Sequence, residues 1–119
     1  MIFLFEDNPA ISEIITDILH SMNIECTSFR KPPDSIDELK KSDKIPNLII
    51  YDLIYHRTIN FDFLEKIKKD NIFMNIPVVV ITAADEEKTK RAKSIGADEV
   101  ITKPFKISQI KNVVNRYLQ

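Results

Sequence analysis

The chain has 119 residues, with 17 Lys and Arg against 18 Asp and Glu and a formal net charge of −1. That length supports one core and not two, and the near-neutral balance excludes a broad electrostatic pull toward nucleic acid or an anionic membrane. Its single glycine, Gly96, excludes multi-glycine phosphate loops and nucleophile elbows, and its single cysteine, Cys26, excludes an internal disulfide or a cysteine-rich metal site.

Met1 runs directly into the apolar stretch Ile2–Phe5, a strand, without the basic and long apolar regions of a signal peptide. Asn8 and Pro9 then suit the cap and first turn of a helix. Ile11, Ile14, Ile15, Ile18, Leu19 and Met22 recur at spacings of three and four, so they form its buried stripe, with Ser12, Glu13, Asp17 and His20 facing away. Ile24 to Phe29 is a short second strand. Lys31–Pro32–Pro33–Asp34 breaks the chain, and Ser35 to Ser42 is a short second helix with Ile36 and Leu39 as its core residues.

Pro46–Asn47 leads into Leu48–Tyr51, an apolar run that reads as a strand buried on both faces. Leu53 to Asn60 reads as a loop. Phe61, Phe63, Leu64 and Ile67 mark a third helix, and Val78 to Ile81 a fourth strand. Asp85 to Ile95 carries acids at its start and Lys90, Arg91 and Lys93 toward its end, a helix whose charges suit its dipole. Gly96 comes next as a C-cap. Val100 to Thr102 is the last strand, and Ile107 to Leu118 the last helix, expected to bury Ile107, Ile110, Val114 and Tyr117. Strand and helix alternate five times, which is the pattern of a doubly wound parallel sheet with helices on both faces. No apolar stretch reaches membrane-spanning length. The expectation is therefore one soluble, cytoplasmic domain over residues 1–119.

Four strands end in reactive groups. Ile2–Phe5 runs into Glu6 and Asp7, Leu48–Tyr51 into Asp52, Val78–Ile81 into Thr82, and Val100–Thr102 into Lys103. Open α/β sheets bind ligands at the rim formed by such strand ends. Three carboxylates gathered there repel one another, so one would have its pKa raised unless a cation were bound, and an oxygen-only donor set suits magnesium.

Phe5–Glu6–Asp7–Asn8–Pro9, Asp52, Ile81–Thr82–Ala83 and Lys103–Pro104–Phe105 together resemble the receiver domain of two-component response regulators. The spacings between these blocks fit as well as the residues do, and Ile45–Asp52 and Ile95–Asp98 are similar too. The resemblance covers essentially the whole chain. It implies a flavodoxin-like fold, a five-stranded parallel sheet in the order 2-1-3-4-5 with five helices. It also implies that Asp52 takes a phosphoryl group from a phosphohistidine on a sensor histidine kinase or a histidine phosphotransfer protein. Mg2+ would be held directly by Asp7, Asp52 and the Ile54 carbonyl, and through water by Glu6. Lys103 would neutralise the transferring oxygens, Thr82 would donate a hydrogen bond to them, and Lys103–Pro104 would be cis. Such a domain is a signalling module and not a metabolic enzyme.

Four departures from the family pattern bear on behaviour. The proline and glycine usual in the loop after the nucleophile are His56 and Asn60, and Asn60 is expected to replace glycine at positive φ. The aromatic that accompanies the threonine as a switch is Val100, which predicts a muted switch. Ile54 and Ala84 offer no polar group to orient a hydrolytic water, which predicts a long-lived phosphoryl group. Phe105, Val113 and Leu118 are expected to leave an apolar patch. Two rival readings are a phosphatase of the haloacid-dehalogenase type, opposed by Pro9 standing two after Asp7, and a receiver-like interaction module regulated without phosphorylation.

Overall fold

The computed structural model describes residues 1–118. In chain order these form β1 (Ile2–Phe5), α1 (Pro9–Ser21), β2 (Cys26–Phe29), a 3-10 helix (Ile36–Lys41), β3 (Leu48–Tyr51), β4 (Ile54–Tyr55), β5 (Thr58–Ile59), α2 (Asp62–Lys69), β6 (Val78–Thr82), α3 (Glu86–Ile95), β7 (Glu99–Thr102) and α4 (Ile107–Leu118). Five strands make one parallel sheet in the order β2-β1-β3-β6-β7. Counting only those five, this is the expected order 2-1-3-4-5.

Successive side chains of a strand point to opposite faces, and the central strands use this to build two cores. Phe3, Phe5, Ile49, Tyr51, Val78 and Val80 pack on one face with Phe63, Leu64 and Ile67 of α2 and Ala92 of α3. Ile2, Leu4, Leu48, Ile50, Val79 and Ile81 pack on the other with Ile15 and Leu19 of α1 and Ile110 and Val114 of α4. The first core is aromatic: Phe5 stacks on Phe29 at 4.7 Å and meets Tyr51 and Phe63 edge-on at 5.9 and 5.4 Å. Strands buried on both faces carry no charged side chain until they leave the sheet, so charge is confined to their ends.

Helix ends obey local chemistry. Asn8 caps α1, its side chain accepting the N–H groups of Ala10 and Ile11, with Pro9 in the first turn. Asp85 caps α3 by accepting the Lys88 N–H, and Gly96 ends that helix at φ 135°. Glu86 and Lys90, four residues apart, pair at 3.4 Å, and Arg91 lays its guanidinium over the Phe61 ring, 4.3 Å from the centroid.

Several expectations are corrected. The second of the five helices is a 3-10 helix: its two apolar residues, Ile36 and Leu39, are three apart, which fits three residues per turn and gives an α-helix no stripe to bury. The expected loop at 53–60 contains the β4–β5 hairpin, and the positive φ angles fall on His56 and Arg57 at its tip and not on Asn60. In α1 the buried stripe takes in Ser12 and leaves Ile14 exposed. In α4 it runs through Ile110, Val113 and Val114, one turn beyond Ile107, which is 55% exposed. Val113 is thus core and no part of a surface patch. Cys26 is half-buried, and burial pushes its thiol up to about 11, as suits a packing residue.

Candidate functional site

Register sets the site. Phe5 pairs with Tyr51 across β1 and β3, so the residues next in the chain, Glu6 and Asp52, leave the sheet side by side. Carboxylate oxygens of Glu6, Asp7 and Asp52 all lie within 4.8 Å of one another. Thr102 pairs with Thr82, which brings the next residue, Lys103, to the same rim from β7. Its Nζ donates to Glu6 Oε1 at 2.5 Å and to Asp52 Oδ2 at 2.9 Å. Residues as far apart as 6 and 103 therefore meet at one point, and the Lys103–Pro104 bond is cis, as expected.

One ammonium faces three carboxylates, and the titration of the group reflects it. Burial pushes the Glu6 carboxyl up to about 7; the hydrogen bond from Lys103 opposes this and the Asp52 charge adds to it. For Lys103, burial works against the charge, but the hydrogen bonds to Glu6 and Asp52 outweigh it and hold the ammonium above its ordinary value. Each acid is further oriented by backbone. Glu6 Oε2 accepts the Asn8 N–H at 3.2 Å, Asp52 Oδ1 the Ile54 N–H at 2.9 Å, and Asp7 Oδ2 the His56 N–H at 3.1 Å.

Ile54 stands where its carbonyl can face outward. Leu53 O accepts the Asn60 N–H at 2.7 Å, and Ile54 pairs with Ile59, so the alternation of an antiparallel ladder turns the Ile54 N–H and C=O away from its hairpin partner. Thr82 is fully buried one strand away from Asp52, and its Oγ1 accepts the Ala84 N–H at 3.2 Å. Val100 lies on β7 opposite Val80, packed against the aromatic core. The structure thus joins Glu6, Asp7, Asp52 and Lys103 directly, and sets Thr82 and Val100 on the strands beside them.

Beside the acids lies a notch of about 10 Å³, lined by Phe5, Glu6, Asp7, Arg30, Lys31, Pro32, Asp52, Ile54 and Tyr55. Arg30, Lys31 and Tyr55 are absent from the sequence-based site. The signal for the first two is the strand order: β2 flanks β1, so the residues just after Phe29 reach the same rim as Glu6. His20 and His56 have exposed side chains, and it is the backbone of His56 that touches the site.

A family profile described as the response regulator receiver domain matches residues 2–115. Among curated proteins, the chain is 28% identical over 120 residues to the phosphate regulon transcriptional regulatory protein PhoB of Pseudomonas aeruginosa, covering 97% of this chain and 52% of that protein. It is 29% identical over 118 residues to the hybrid signal transduction histidine kinase D of Dictyostelium discoideum, covering 97% of this chain and 7% of the kinase. The chain thus spans about half or less of these curated relatives. Among solved structures, it is similar to the phosphorylated cyanobacterial phytochrome response regulator RcpA, with a TM-score of 0.85 and 26% identity, covering 99% of this chain and 93% of that one.

Proposed function

This chain belongs to the response regulator receiver family and is a receiver domain of two-component signalling; from that premise we propose that Asp52 is its phosphoacceptor, served by Lys103 and Thr82. The observation that carries the reading is the two-pronged contact of Lys103 with Glu6 and Asp52 across the rim of the sheet.

An oxygen of Asp52 attacks phosphorus while the P–N bond of a partner's phosphohistidine breaks, and the imidazole departs with the bonding pair, neutral when its other ring nitrogen is protonated. The products are an acyl phosphate on Asp52 and a free histidine on the partner, a sensor histidine kinase or a histidine phosphotransfer protein. The three carboxylates fit Mg2+ in chemistry, being hard oxygen donors within 4.8 Å of one another. Asp7, Asp52 and the Ile54 carbonyl would hold that ion directly and Glu6 through water, and when bound it supplies positive charge to the transferring oxygens. Lys103 would add a second positive charge at the same rim, which it can deliver because burial has not stripped its proton. Thr82 turns its hydroxyl from the Ala84 N–H to donate to a phosphoryl oxygen.

The test is incubation with a small acyl phosphate and Mg2+, read by intact mass. Wild-type protein gains one phosphoryl group and Asp52→Asn gains none. Turnover of many phosphate esters would instead indicate a phosphatase, and no modification of the wild type would indicate a module regulated without phosphorylation.

A further inference from the structure

The acid cluster touches a structural element that the sequence pattern does not announce, the two-residue hairpin turn at His56 and Arg57. Both tip residues stand at positive φ, 49° and 64°. Positive φ at both central positions is what a type I′ turn requires, and glycine or asparagine usually supplies it. Here two bulky residues adopt it instead, at a steric cost that L side chains normally avoid.

Four hydrogen bonds hold the turn in that conformation, and two of them end on the acids. Leu53 O accepts the Asn60 N–H at 2.7 Å, and the Tyr51 hydroxyl donates to Asn60 O at 2.9 Å, which pins the base of the hairpin to β3. The Ile54 N–H donates to Asp52 Oδ1 at 2.9 Å. At the tip, the His56 N–H donates to Asp7 Oδ2 at 3.1 Å, a contact between residues 49 apart in the chain. In a two-residue hairpin the first tip N–H has no partner across the ladder, so it is free to serve something outside the turn. Here it serves Asp7. The proline usual at this position in the family has neither that N–H nor that φ, so the contact with Asp7 belongs to this chain's own hairpin, and His56→Pro removes it without supplying the glycine that the family's loop has at position 60.

We propose that the β4–β5 hairpin is a positioning device for the acid pocket: by fixing Asp7 from the His56 N–H and Asp52 from the Ile54 N–H, its register sets the affinity for a divalent cation. His56 acts through its backbone and its imidazole is dispensable. Ile54 and His56 belong to one short hydrogen-bonded hairpin, so the two carboxylates are held relative to one another before any ion arrives. The inference rests on reading the three acids as a cation pocket.

The test uses Mg2+ alone, with no phosphodonor. The chain has no tryptophan, and Tyr55 lines the notch beside Asp7 and Asp52, so its fluorescence reports binding. His56→Pro, and separately a glycine inserted after Arg57, should each weaken Mg2+ binding about tenfold or more, with the melting transition still cooperative. His56→Gly keeps the N–H and favours positive φ, and should restore what His56→Pro loses. Amide exchange at His56 should be slow in the wild type and faster in Asp7→Ala, which checks the His56–Asp7 hydrogen bond in solution, while the Mg2+ affinities of the variants check its role. Wild-type affinity in the proline and insertion variants would overturn the proposal, as would equal weakening in His56→Gly. If the wild type shows no Mg2+ response at all, the cation-pocket reading fails first; if only the variants behave as wild type, the inference alone falls.

Discussion

Glu6 is buried beside another carboxylate, and its environment favours its neutral form. A carboxyl raised in the folded state from an ordinary 4.5 to about 7 stabilises the fold fully below pH 4.5, and that contribution is lost as pH rises through 7. The metal-free domain should therefore lose on the order of 2–3 kcal/mol between those limits. Glu6→Gln should flatten the profile, and saturating Mg2+ should flatten or reverse it in the wild type, because a bound dication favours the ionised carboxylate. Urea melts at pH 5 and pH 8, with and without Mg2+, check this; a profile that is flat without metal would refute it. Ile54 lines the same notch and Ala84 is hydrogen-bonded to Thr82, both half-buried and without polar atoms on their side chains. Loss of phosphate from Asp52 should accordingly be slow, and Ile54→Asn, which can orient a water, should shorten the half-life severalfold when decay is tracked by mass. The acids and Lys103 can be read from sequence because each ends an apolar run. The His56 contact cannot, because it is made by backbone and depends on a turn type that side-chain identity at His56 and Arg57 does not announce.

At the level of elements, strong periodicity and explicit caps are readable, and short segments are not. Asn8–Pro9 and Gly96 end their helices where the sequence places them, because capping is a local hydrogen-bonding matter. Ile36–Lys41 carries too few apolar residues for periodicity to separate an α-helix from a 3-10 helix, and Val113 is misplaced by pattern alone because a stripe at spacings of three and four admits either neighbour. Gly96 gives the sharpest test of a cap. A Cβ there would meet Lys68 Cε at 3.0 Å and Cγ at 3.1 Å, atoms of a flexible chain that can give way, so φ at 135° and not space decides the cost. Gly96→Ala should lose at least about 1 kcal/mol. A lowered urea midpoint with an unchanged slope would show it, while Lys68→Ala in the same background should recover little.

On the scale of the whole domain, one sheet separates two cores, and the reactive rim is attached to both. Glu6 and Asp52 come directly after Phe5 and Tyr51, whose rings belong to the aromatic core, while Thr82 comes after Ile81, which faces α1 and α4. A phosphoryl group on Asp52 would draw the Thr82 hydroxyl away from the Ala84 N–H, and the first elements to feel this are the β6–α3 turn and Ala84, which packs against the aromatic core. Further spread has to pass Val100, opposite Val80 on β7 and packed against that same core. A β-branched side chain has few accessible rotamers, so Val100 transmits a change of volume poorly and has no ring to swing between an inward and an outward position. Phosphorylation should therefore shift amide and methyl resonances of residues 82–88 and of the β4–β5 hairpin, and leave the Val100 methyls and the α4 face nearly unmoved. Val100→Phe should extend the response onto β7, since it supplies a side chain whose two states differ in the space they occupy. Large changes at Val100 and along α4 in the phosphorylated wild type would show that this fold carries the signal through the strand itself, without needing an aromatic there.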